Sequence, residues 1–252
     1  MKITEHGRGA IAAGTLVAAL AGALASASLA KAPATPKGPT RDITVRVEGL
    51  TKTLLAPTTV TLRDTPVGKG TKGETCSGLS AQGALADATR GDWNGTWSSS
   101  YKEFLISSIL GSAYGAHADY YWAFWLDDKP AAVGACDVDP AKGSSILFFP
   151  EYDGNSKSAV MPAVLGISAP ASALPGKPFE VIVTSYANAN GKATPAVGVE
   201  VRAGSLSATT KAKGIATLTL AHPGKVTLSV SAPHAVRDET TVCVHRAGAR
   251  CS

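Results

Sequence analysis

Charge is scarce in this chain of 252 residues: Asp, Glu, Lys and Arg together make up 17%. With 44% apolar residues, that balance excludes wholesale disorder and a long coiled coil, both of which need charge-rich sequence. Catalytic signatures are also missing. No G-x-S-x-G, H-E-x-x-H or phosphate-binding loop occurs, so the common hydrolase, zinc-protease and phosphate-loop spacings are absent, and no enzyme is expected. The four cysteines form no Cys-x-x-Cys and have no histidine at zinc-ligand spacing, which argues against a metal site and a redox pair. Asp137-x-Asp139 continues with Ala141 and Lys142 where a calcium loop needs oxygen donors. No metal or cofactor is expected.

Long apolar runs are confined to the N-terminus. Lys2 and Arg8 precede an Ala/Leu/Val/Gly stretch from Ala10 to Leu24, and small residues then offer cleavage points at Ala27, Ala30 and Ala32. This reads as a secretory signal peptide over 1–32. The alternative is a retained anchor, but Thr15 and the high Ala and Gly content suit a stable span poorly. Loss of the segment removes Lys2, Arg8 and Lys31 with Glu5 and lowers the formal charge from +5 to +3, too weak a field to indicate nucleic acid. A Pro-rich leader over 33–42 follows, and the mature chain is expected outside the cell with no membrane span.

Export makes disulfides the natural state of Cys76, Cys136, Cys243 and Cys251. Of the three possible pairings, Cys76–Cys136 with Cys243–Cys251 keeps each bridge inside one proposed domain. In the loop-entropy picture the first bridge stabilises by roughly 4 kcal/mol, and the short C-terminal loop by less.

The remaining 26 Gly and 15 Pro punctuate a pattern that is mostly β. Over 43–150, Ile43, Val45 and Val47 alternate with polar residues, and Val60-Thr61-Leu62 resumes the alternation as the second arm of a hairpin. Ser80 caps a helix over Ser80–Arg90 with a face of Ala81, Ala84, Leu85 and Ala88, a Leu79 staple and a Gly91 stop. Asn94-Gly95 predicts a tight turn between Trp93 and Trp97, and Asn94-Gly95-Thr96 is also a glycosylation tripeptide. Further strands are expected over Tyr101–Leu110, Tyr120–Leu126, around Val133 and over Ser145–Phe149. A linker over 151–162, dividing the chain near residue 155, leads into 163–252. There the strands are Phe179–Val183, Val197–Val201, Ile215–Leu220, Val226–Val230 and Thr241–Val244. Turn signals separate them, with no helix, which predicts an antiparallel sandwich of about seven strands.

Two stretches resemble known families. Thr210-x3-Gly214-x-Ala216-x-Leu218-x-Leu220 with Pro223-Gly224-x-Val226-Thr227-Leu228 is similar to bacterial immunoglobulin-like repeats, which implies a spacer or adhesive module. Tyr121-Trp122-Ala123-Phe124-Trp125-Leu126-Asp127-Asp128-Lys129, with Gly134 and Gly143 before Ile146-Leu147-Phe148-Phe149, resembles the transcobalamin C-terminal-like family. That resemblance implies a β-grasp-related fold, a small sheet packed on one helix. Two positions depart from the family pattern: Asp127-Asp128 replaces an Asn-Gly turn, and Ser144 follows Gly143 where Asp is frequent. In the cobalamin carriers a helical barrel supplies the second wall, and these residues contain none, so any corrinoid would be covered on one side only.

The aromatic strand is the candidate site. Tyr120, Trp122, Phe124 and Leu126 point to one face while Tyr121, Ala123 and Trp125 point to the other. Either the strand is packed on both sides, or one side with Trp93 or Trp97 forms a platform for a ring. The candidate ligand-binding residues are therefore Trp125, Tyr121, Trp122, Phe124, Trp93 and Trp97. The expected function is a secreted, non-enzymatic binding or adhesion protein whose partner is an extracellular macromolecule. The alternative is a soluble carrier of a small, flat, hydrophobic ligand.

Overall fold

A computed structural model describes residues 40–114, 119–152, 162–246 and 248. The predicted signal peptide, most of the leader and linker, the boundary at residue 155 and Cys251 lie outside the described residues. The chain over 41–152, here the first lobe, runs β1 Arg41–Glu48, β2 Thr53–Leu62, β3 Val67–Gly68, β4 Thr75–Cys76, α1 Ala81–Ala88, β5 Trp93–Ser98, β6 Glu103–Ile109, β7 Ser112–Ala113, β8 Tyr120–Leu126, β9 Lys129–Pro130 and β10 Ser145–Tyr152. The protein is mostly β, with one α-helix among the described residues.

Strand β1 hydrogen-bonds to β2 as the predicted hairpin and to β10 in parallel, which completes a five-stranded sheet in the order β2-β1-β10-β8-β9. Its alternation buries Ile43, Val45 and Val47, but Arg46 and Glu48 on the opposite face are buried too. The second face is therefore covered, which period-2 patterning cannot foresee. Across the first face lies α1. The Ser80 hydroxyl accepts from the Gly83 amide at 3.2 Å, as the cap rule requires. Gly91, at φ +81, closes the far end by donating to the Ala86 carbonyl at 2.8 Å. The helix stops two residues before the predicted Arg90, which itself takes φ +53, outside the helical region. Ala81, Ala84 and Leu85 join Val45, Phe104, Trp122 and Phe148 in the lobe's core. A disulfide joins Cys76 to Cys136. Cys243 is disulfide-bonded as well, while its expected partner, Cys251, is not among the described residues.

Three local expectations are corrected. Asn94-Gly95 is not a turn: it lies within β5, paired to β6, with a bulge at Asn94/Gly95. A Cβ on Gly95 would sit 2.8 Å from the Leu105 carbonyl oxygen, so glycine serves close backbone approach here rather than a turn. No strand forms around Val133, which is an exposed loop residue. The stretch Val197-Gly198-Val199 precedes its strand, which begins only at Glu200 because Gly198 takes φ +78.

The second lobe, over 163–246, contains β11 Ala163–Ser168, β12 Ser172–Ala173, β13 Pro178–Tyr186, β14 Ala193–Pro195, β15 Glu200–Ala203, β16 Leu206–Thr209, β17 Ile215–Thr219, β18 Gly224–Ser231, β19 Ala235–Val236 and β20 Asp238–Val244. One sheet runs β14-β13-β11-β19 with β17 also on β13, and the other runs β12-β20-β18-β15-β16. That is ten strands rather than about seven. Two short pairs, β11 with β19 and β12 with β20, are parallel where only antiparallel pairing was expected. A single 3-10 turn, Ala212–Gly214, precedes β17. Val181, Val183, Val201, Leu228, Val230 and Val242 form the core between the sheets.

The lobes meet along the second face of the aromatic strand. Ala123 and Trp125 of β8 and Leu147 and Phe149 of β10 pack with Val164, Val236 and Tyr186 of the second lobe. Gly191, at φ +68, lies so close to the Asp128 carbonyl that a Cβ there would stand 2.6 Å from it. Beside this contact Arg46 Nη1 pairs with Asp238 Oδ1 at 2.8 Å, and Arg237 Nη1 with Glu48 Oε2 at 3.3 Å. Burial raises Glu48 to about 7, against the opposing pull of Arg46, a hydrogen bond from Thr53 and Arg237. Among the described residues no helix is long and apolar enough to cross a membrane.

Candidate functional site

The aromatic strand β8 spans Tyr120–Leu126 as the alternation predicts, and it turns into β9 through Asp127 and Asp128, both at positive φ. Carboxylate residues tolerate this backbone better than most, and Asp127 gains from it. Its Oδ1 accepts from the Ser145 amide at 2.8 Å and its Oδ2 from the Ser144 hydroxyl at 3.0 Å. Asp127 and Ser144 thus contact each other across the turn.

The six predicted aromatic residues have different fates. Trp93 and Trp125 are each 2% exposed, Trp93 in the first core and Trp125 in the cluster between the lobes. Trp122 is 8% exposed and meets Tyr114 edge-on. Phe124 stacks on Phe148 at 5.5 Å, and Trp97, half-buried, meets Phe104 edge-on at 5.0 Å. Tyr121 alone of the six is largely exposed, at 43%. The strand is therefore packed on both faces, with its second face against a sheet.

The structure also brings four of the six to one cleft. A cavity of about 390 Å³ opens along the outer edge of β8, between it and Glu103–Ile106 of β6, and its wall includes Tyr121, Trp122, Phe124 and Trp125. Asn188 and Ala189 extend the wall from the second lobe. The volume lies within the ~300–1,000 Å³ typical of small-ligand sites. Trp93 and Trp97 do not line it.

Two carboxylates in this wall were not foreseen. Glu103 lies against Gly134, where a Cβ would collide with its carboxyl group. Burial pushes Glu103 above the usual carboxylate range, and the charge of Asp137 adds to the effect. Glu151 is 5% exposed and stands opposite Tyr121 in the β8–β10 register. Its place after Ile146-Leu147-Phe148-Phe149-Pro150 was the only available signal: a charge ending an apolar strand. No Lys, Arg, His, Ser, Thr or Cys belongs to the wall.

A second cavity, of about 430 Å³, lies between the lobes near Tyr120, Phe149, His234 and Arg237 and contains none of the six. Among the described residues no group of three or more His, Cys, Asp or Glu is placed to hold a metal ion. Asp139, from the excluded calcium pattern, pairs instead with Arg41 at 2.6 Å.

The sequence matches no protein-family model. No curated protein matches it either. Among solved structures, a candidate metal-binding protein from Ruminococcus gnavus aligns over 44% of this chain and 97% of its own, at 10% identity and a TM-score of 0.32. A likeness that slight carries no argument about fold or ligand.

Proposed function

We propose that this chain is a secreted, extracellular, non-catalytic binding protein, with a β-grasp-like first lobe as the contact module and an immunoglobulin-like second lobe that presents it. The order β2-β1-β10-β8-β9, with a parallel central pair and one helix across a face, supports the first half of this reading. Two sheets around an aliphatic core support the second. Disulfide bonding supports an oxidising compartment.

The observation that carries the proposal is the cleft beside β8. It gathers aromatic walls, two carboxylates and residues from both lobes, and its lining includes no Ser, Thr, Cys or His side chain. The alternative, a carrier of a flat ring such as a corrinoid, has only Tyr121 as a largely exposed surface, because Trp93, Trp122 and Trp125 are each less than one-tenth exposed. A ring stacked there would leave most of its area in water, and its affinity would be weak.

The test exposes the purified mature chain to isolated cell-wall and extracellular-matrix preparations, and separately titrates cobalamin against tryptophan fluorescence. Expected are retention on a macromolecular preparation, about tenfold weaker in Tyr121→Ala, and no saturable cobalamin response. Stoichiometric cobalamin binding replaces this reading with the carrier. Intact protein inside the cell with reduced thiols removes it altogether.

A further inference from the structure

We infer that the cavity between the lobes is a second binding site, one that takes a small carboxylate with an apolar body. This site is distinct from the cleft beside β8, so it goes beyond the binding reading above and does not depend on it.

Strand register builds the cavity. At the end of the β10–β8 ladder Tyr152 pairs with Tyr120, and their half-buried rings meet edge-on at 5.4 Å. From the second lobe, β19 pairs in parallel with Ala163 and Val164 of β11, and the residue after it, Arg237, reaches the Gly49 and Leu50 carbonyls that follow β1. The space enclosed is about 430 Å³. That lies within the ~300–1,000 Å³ of small-ligand sites, for which junctions between domains are a usual place. The wall includes both tyrosines, Phe149 and Val236, and Leu50 adds an apolar side chain that is 47% exposed. A ligand body that covers these groups removes apolar area from water.

Charge selects the head group. No Asp or Glu lines this cavity, and Arg237 is its cation. The guanidinium itself lies at the wall, since the two carbonyls it bonds belong to Gly49 and Leu50 of the same wall. Nη1 donates to Glu48 Oε2 and to the Gly49 carbonyl, each at 3.3 Å, and Nη2 donates to the Leu50 carbonyl at 3.2 Å. A guanidinium carries five N–H groups, so one on Nε and one on Nη2 remain, and no acceptor among the described residues reaches them. The bonds that are made are long beside the ~2.7–2.9 Å of charge-assisted pairs.

The counter-charge of Arg237 is also shared. Glu48 pairs with Arg46 at 3.5 Å as well, accepts from the Thr53 hydroxyl, and is raised by burial to about 7. A carboxylate offers two oxygens to one planar donor group, the pairing that guanidinium favours. An amine would meet a like charge. The cleft beside β8 has the opposite lining, with Glu103 and Glu151 and no cation, so an anion is directed to the junction.

The test titrates 3-phenylpropionate, its amide and 3-phenylpropylamine calorimetrically into the full mature chain, with acetate as the carboxylate that lacks an apolar body. Phenylpropionate is expected to bind once per chain, the amide at least about tenfold more weakly, and the amine and acetate without saturation. Hydrogen exchange should slow at Gly49, Leu50 and Arg237 and stay unchanged at Tyr121. Arg237→Gln is expected to lose at least about tenfold in affinity. Because that change also removes a tie between the lobes, its urea midpoint is measured alongside. Leu50→Ala, at an exposed position, should lose about threefold with the fold intact. If Arg237→Gln fails to fold, the ratio of acid to amide on the wild type decides in its place. Equal binding of the amide or the amine overturns the choice of an anion, as does unchanged affinity in folded Arg237→Gln. Protection at Tyr121 in place of Leu50 overturns the location. No saturable binding of phenylpropionate by the wild type overturns the site and leaves the reading of the β8 cleft untouched.

Discussion

The two lobes are built from different kinds of side chain. The first core is assembled from large rings, Trp93, Phe104, Trp122 and Phe148, whereas the fully buried members of the second are Val, Leu and Ala. Branched aliphatic side chains fit the pleat of facing sheets and interdigitate without leaving space. Planar rings prefer edge-on contact, as Trp93 with Phe104 at 74° and Trp122 with Tyr114 at 67° illustrate, and such contacts tile a strand edge less completely. The lobe with the rings also carries most of the cleft wall and a second sheet face that the other lobe covers. The contrast is between an aliphatic core enclosed by two facing sheets and an aromatic lobe with a cleft beside its strand β8.

Removing the ring at the junction should break this contrast most severely. Trp125→Ala is expected to cost about 3–5 kcal/mol, the usual penalty for deleting a buried aromatic. Its signature in urea unfolding is a loss of cooperativity between the lobes. A loss below about 1 kcal/mol would show that the cluster around Trp125 does not hold them together.

Reduction of Cys76–Cys136, which are 60 residues apart, comes next. It should destabilise the first lobe by about 4 kcal/mol in the loop-entropy picture. Hydrogen exchange under mild reduction is the measurement, with Cys243→Ser as the background so that one bridge is read. Amides of Ile43, Val45 and Trp122 should lose protection while those of Val181, Val183 and Val242 keep it. Equal loss in both lobes would mean that they unfold as one unit.

The smallest effect concerns the pH response of the junction. Glu48 is raised from 4.5 to about 7, chiefly by burial, so the fold prefers it protonated. Its stabilising contribution is fully present below about 4.5 and is lost as pH rises through about 7. Asp238, also pushed up by burial, acts with the same sign. Urea midpoints between pH 4 and 8 should therefore fall with rising pH in the wild type and fall less steeply in Glu48→Gln, with the remainder due to Asp238. An identical slope in the variant would mean that Arg46 and Arg237 already hold Glu48 ionised throughout the range.

Much of the local structure was legible beforehand. Ser80 as cap, Gly91 as stop, the β1–β2 hairpin and the span of β8 all follow from patterns within a few residues of one another. Asn94-Gly95 shows the limit of such patterns: the same pair serves a tight turn or a bulge, and only the partner strand β6 decides between them. Glu103 and Glu151 were passed over because a single carboxylate in a strand carries no signal until its neighbours in space are known.

By itself, then, the amino-acid order determined many of the strands, where the helix begins and that Cys76 and Cys136 would be joined, since alternation, capping and turn chemistry act over short separations. Only the tertiary structure decided that both faces of β8 are covered, that Trp125 packs in the cluster at the junction, and that a cleft runs between β6 and β8. Those outcomes depend on strands far apart in the chain being brought side by side. What a side chain meets there is a property of the packing, which no local period encodes.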